Sequence, residues 1–78
     1  MHKLAHLAIS DEGFVFDPTT GDSFQVSQTG LDILSGLRAG KGNDAIAHSL
    51  AGRYAVGVEE AQRDVADFQE HLKNLGLV

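Results

Sequence analysis

The hydrophobic period of this chain changes once, at Ser27, and that switch confines it to folds in which strands come first and helices follow. Before Ser27 the period is two. Leu7 and Ile9 point one way, the break at Asp11, Glu12 and Gly13 reverses the chain, and Phe14 and Phe16 then share a face with Val15 opposite, which predicts a hairpin. Asp17, Pro18, Thr19, Thr20 and Gly21 carry the chemistry of a type I turn closed by a left-handed residue. Phe24 and Val26 continue the apolar face. If all the large residues face one core, Phe16 pairs with Phe24 and Phe14 with Val26, and this register requires a five-residue connection or a bulge near Gly21. The expectation is a three-stranded antiparallel meander whose third strand, about residues 22–26, lies at an edge with open backbone donors and acceptors.

After Ser27 the period becomes helical. Leu31, Leu34 and Leu37 mark a first helix, with Ser27 or Thr29 as caps and Thr29 with Asp32 resembling a capping box, ending before Gly40. Ile46, Leu50 and Tyr54 recur every fourth residue in a second helix that Gly42 or Asn43 can cap. Val58, Ala61, Val65, Phe68, Leu72 and Leu75 form the longest stripe, with Glu59 and Glu60 in its first turn and Gly76 at its end. The fold class read from this order is α+β and winged-helix-like: a three-stranded antiparallel meander followed by three helices, as a single domain over residues 1–78.

Composition narrows the functions. With 42% apolar and 22% charged residues the chain is expected to be soluble and globular, and no window approaches the roughly 18 to 20 apolar residues of a membrane span, so no membrane partner is expected. Absence of cysteine removes disulfides, thiolate zinc sites and thiol nucleophiles and fits a cytoplasmic location; the first nine residues lack the pattern of a secretory signal. The net charge of −5 opposes nucleic acid as a partner. His2 and His6 have no third ligand nearby, His48 and His71 read as surface histidines, and Asp11, Glu12, Asp17 and Asp22 belong to turns. No serine stands in a nucleophile and base arrangement, and Gly40, Lys41 and Gly42 are too few for a phosphate loop. No catalytic residue, metal site or cofactor is therefore expected.

A winged helix ordinarily suggests DNA binding, but the last helix sets Glu59, Glu60, Asp64, Asp67 and Glu70 against Arg63 and Lys73, a net of −3. What remains is an edge strand beside a long apolar helix, a combination that can hold an extended peptide. Spacing alone favours the plainer reading of a short protected edge and a stripe that is all core.

A resemblance shifts that balance. Gly21 before a strand ending in Val26, then Ser27, Gln28, Thr29 and Gly30, then Leu34 and Gly40, Tyr54 and Val56, and finally Asp64, Val65, Phe68, Leu72, Gly76 and Leu77 resemble, in order and spacing, the PqqD-like peptide chaperones, the precursor recognition elements of ribosomally made, modified peptides. The likeness covers nearly the whole chain. It implies a non-enzymatic protein that holds the leader segment of a precursor peptide as an added strand while a partner enzyme, often of the radical SAM type, modifies the rest. Carried over, it makes Ser23, Phe24, Gln25 and Val26 the strand edge, and Ala61, Val65, Phe68 and Leu72 the groove or the support of its wall. Lys41, Gly42 and Asn43 replace an acidic residue and threonine frequent in the family, and Ser27 stands where asparagine is frequent, which bears on the pathway served more than on the fold. The competing readings are an acidic winged-helix transcriptional regulator and a structural protein-interaction domain. The open edge strand also leaves a homodimer open.

Overall fold

The computed structural model describes Leu4 and residues 6–77; His2 lies outside the described residues. Three strands, β1 (Ala8–Ile9), β2 (Phe14–Phe16) and β3 (Ser23–Gln25), precede three helices, α1 (Gln28–Arg38), α2 (Asn43–Tyr54) and α3 (Val58–Asn74). The strands form one antiparallel sheet in the order β1-β2-β3, so β3 is an edge, as its turn-flanked sequence predicts.

The first hairpin turns over Ser10–Gly13, where the Gly13 N–H donates to the Ser10 carbonyl at 3.1 Å and the Phe14 N–H to Ser10 Oγ at 3.1 Å. Gly13 cannot be replaced freely: its φ is +99°, and a Cβ would lie 2.5 Å from the Val26 carbonyl oxygen. The second connection is an Asx turn, with Asp17 Oδ1 accepting from the Thr19 N–H at 2.9 Å and Gly21 at φ +81° taking the left-handed position foreseen for it.

The pairing within that hairpin corrects the sequence reading. Val15 faces Phe24, Phe14 faces Gln25 and Phe16 faces Ser23, one residue off the pairing that would set Phe16 against Phe24. The turn accounts for the slip. The Asp17 N–H donates to the Asp22 carbonyl at 2.8 Å, which closes a loop of four residues instead of five. Because strand side chains alternate, one step of register exchanges the two faces. Val15 is consequently 0% exposed, whereas Phe14 and Phe16 are 56% and 44% exposed on the outer face.

The helices bury most of their predicted stripes, but the last stripe positions of α2 and α3, Tyr54 and Leu75, are 36% and 45% exposed where the helices end. Ser27 caps α1, its Oγ accepting from the Gly30 N–H at 3.2 Å; Asp32, instead of completing a capping box with Thr29, accepts from Arg53 at 3.1 Å and from the Tyr54 hydroxyl. Gly42 occupies the cap position of α2 without a side-chain bond, leaving Asn43 to form a reciprocal amide pair with Gln69 of α3, at 2.7 and 3.2 Å. Leu4, Leu7, Val15, Ile33, Leu34, Ile46, Leu50, Val65 and Leu72 meet in one buried cluster fed by the residues before β1, the sheet, and α1, α2 and α3. Among the described residues, no helix is long and apolar enough to cross a membrane.

Candidate peptide-binding site

The edge strand offers its bonding groups on one side only. Asp22 and Val26 bond to β2, through the Asp17 N–H to Asp22 carbonyl bond and the Val26 N–H to Gly13 carbonyl bond, both 2.8 Å. Antiparallel ladders alternate, so Asp22, Phe24 and Val26 turn their backbone groups to β2 while the N–H and C=O groups of Ser23 and Gln25 face away from it. Those groups are the free template.

Beside the end of this strand lies a groove between α1 and α3. Ser27, Thr29, Gly30 and Ile33 line it from α1 and its cap, and Asp64, Asp67, Phe68 and His71 from α3, around a volume of about 420 Å³. Gly30 sets its depth. A Cβ there would stand 2.9 Å from Phe68 Cε1 and 3.1 Å from Val26 Cβ, so the missing side chain lets the Phe68 ring settle between the end of β3 and the first turns of α1. No Cα of β3 comes within 8 Å of one in α3 among the described residues. Their side chains share a support instead: Phe24, Val26 and Phe68 are partly buried and packed on the same core. The rim carries two carboxylates, Asp64 and Asp67, and the ring of His71, whose centroid is 6.3 Å from that of Phe68.

The residues named from the sequence therefore separate. Ser23 and Gln25 are exposed on the free edge, and Phe24 and Val26 are half-buried and point toward the core side. Of the four positions on α3, only Phe68 borders the groove. Ala61, Val65 and Leu72 are 0%, 2% and 0% exposed, so of the two roles left open for them, groove or support of its wall, their burial is compatible with the second. Sequence reasoning missed Asp64, Asp67 and His71, although each is one helical turn or one position from Phe68 and shares its side of α3. It also missed the whole contribution of α1, because nothing in a stripe of leucines tells which glycine another helix will approach.

The model of the family described as coenzyme PQQ synthesis protein D (PqqD) matches residues 12–78, and the chain belongs to that family. No curated protein sequence matches it. Among solved structures, a lasso peptide synthetase B1 complexed with the leader peptide is similar at 29% identity and a TM-score of 0.79, over 91% of this chain and 85% of the other. TbiB1 in complex with the TbiA(beta) leader peptide matches at the same identity and TM-score, over 91% of this chain and 84% of its own. The three strands followed by three helices are thus a PqqD-like arrangement, and the resemblance seen in the sequence is a family relationship.

Proposed function

We propose that this chain is a peptide chaperone without catalytic activity of its own, which captures the leader segment of a ribosomally made precursor as a fourth strand on β3 and presents the remainder to a modifying enzyme, of the radical SAM type or another class. The observation that carries this reading is the juxtaposition of outward-facing backbone groups at Ser23 and Gln25 with the groove floored by Gly30, Ile33 and Phe68. Main-chain bonds along β3 supply affinity that is indifferent to sequence, and the groove selects the side chains that alternate toward it. Two similar structures, each in complex with a leader peptide, support the same use of the fold here. Holding the leader raises the concentration of the core segment near the enzyme, which accelerates modification with no chemistry performed by the chaperone.

The test is an amide NMR titration with a synthetic leader peptide of a ribosomally made precursor from the same genome. Shifts should concentrate in residues 22–26, around Gly30 and on the Phe68 side of α3. Gln25→Pro provides the control, because it removes an N–H that faces the open edge and leaves the bonds to β2 intact. Capture by strand addition is rejected if the leader causes no shifts at millimolar concentration, or if Gln25→Pro binds as tightly as the unmodified chain.

A further inference from the structure

The sheet leaves two of its three phenylalanines on the wrong side for a core. Phe14 and Phe16, 56% and 44% exposed, stand on the outer face, where together with Ala8, Ser10 and Ser23 they border a shallow hollow of about 290 Å³. Neither phenyl ring has a polar group that would draw it to water, and exposed apolar patches of this kind mark contact surfaces.

Resting on the strand-addition reading, we propose that this hollow seats a large apolar side chain of the captured peptide, that of the residue lying opposite Ser23. The register supplies the argument. Cross-strand partners share a face, and Phe16 is paired with Ser23. A strand added to the free edge of β3 continues the series, so its residue opposite Ser23 projects to the outer face beside Phe16. Strands are spaced about 4.8 Å apart, which puts that residue roughly 10 Å from the Phe16 backbone. Only the Ser23 hydroxymethyl group stands between, and a phenyl ring and a long apolar side chain can meet over it. At the next outer position Phe14 is paired with Gln25, whose longer side chain leaves less room than Ser23 for a peptide residue to reach across. Ser23 therefore belongs both to the hollow and to the edge that receives the peptide.

The consequence is a specificity that groove binding alone does not produce. Peptide residues on either side of the one opposite Ser23 face the α1–α3 side, as Phe24 does. A peptide satisfying both faces carries a run of consecutive apolar residues, whereas one read only by the groove carries alternating ones.

The probe is a displayed library of random dodecapeptides panned against the unmodified chain, the Phe14→Ser/Phe16→Ser variant, and Ser23→Leu, which fills the hollow while keeping both phenyl rings. The unmodified chain should enrich consecutive apolar runs. Both variants should retain preference at the inward positions and lose it at the outward one, and selected peptides should bind them roughly three- to tenfold more weakly. Thermal melts check that the variants fold. Identical selections from all three proteins overturn the hollow as a peptide subsite while leaving strand capture standing. A concentration-dependent dimer of the free chain that Phe14→Ser/Phe16→Ser abolishes also overturns it, since a second copy then fills the hollow. If no peptide is enriched, or the enriched peptides bind Gln25→Pro equally well, the capture reading fails as well.

Discussion

Strand β2 and helix α3 are both amphipathic, yet they treat their large apolar residues in opposite ways. Along α3 the middle of the stripe read from spacing is buried: Ala61, Val65 and Leu72 are at most 2% exposed, with Phe68 at its margin, whereas Leu75 at the cap is 45% exposed and Leu77 is buried beyond it. In β2 the smaller valine is buried and two phenylalanines are outside. The difference is one of redundancy. A helix of 17 residues presents its apolar side over five turns, so no single residue decides the face. A strand of three residues has one binary choice, and a single step of register inverts it. Side-chain size does not make that choice; the loop that closes between Asp17 and Asp22 does.

The contrast can be broken by truncation on each side. Leu72→Ala, in the fully buried part of α3, should cost about 2 to 5 kcal/mol in urea unfolding, the range for an incompletely relaxed core cavity. Val15→Thr keeps the side chain's shape but buries a hydroxyl, and should cost about 1 to 3 kcal/mol. Phe16→Ser removes far more apolar mass from the same strand and should change stability by only about 0.5 kcal/mol, as a surface substitution does. Should Phe16→Ser prove more destabilising than Val15→Thr, the inversion of β2 is wrong and the five-residue connection is restored.

Gly30→Ala probes the groove, where helix and strand meet. The added methyl improves helix propensity by up to about 1 kcal/mol but strikes the Phe68 ring, whose far edge can swing aside. Stability should therefore move by less than about 1 kcal/mol, while leader binding in the NMR titration weakens as Phe68 is displaced. Unchanged binding would remove Phe68 from the site.

How much could be read from the sequence follows the same division. Element order, the Ser27 cap, the turn at Gly21, the edge position of β3 and the middle of each helical stripe were legible, because each is set by local chemistry within a few residues; the stripe ends at Tyr54 and Leu75 were not, since spacing does not tell where a helix runs out of core to cover. The register of β2 was not, since Asp17 to Gly21 are compatible with closing loops of either four or five residues. The groove was half legible. Phe68 stands in the stripe, but whether it is core or wall depends on Gly30, 38 positions earlier, and on the end of β3. The resemblance to the family placed the site on β3 and α3 where periodicity alone favoured an inert edge.

Tyr54 supplies the finest test, because it is an exposed aromatic with a hydrogen-bond partner, which a phenyl ring such as those of Phe14 and Phe16 cannot have. Spacing puts it on the α2 stripe with Ile46 and Leu50, yet it ends 36% exposed, its hydroxyl donating to Asp32 of α1 beside Arg53. The hydrogen bond to the Asp32 carboxylate, then desolvation and the carboxylate's charge, hold the phenol above its ordinary 10.0, with Arg53 opposing. As this is the only tyrosine and there is no tryptophan, absorbance near the tyrosinate band reports it alone. The midpoint should lie above 10 in the folded chain, and Asp32→Asn should return it toward 10. The sign for stability follows from a folded pKa that exceeds the unfolded one: the contribution is complete below pH 10 and is lost as pH rises through the folded pKa, where the bond must give up its proton. A folded midpoint at or below 10 would mean that Asp32 does not hold the Tyr54 hydroxyl, and α1 and α2 would then be joined through Arg53 and core packing alone.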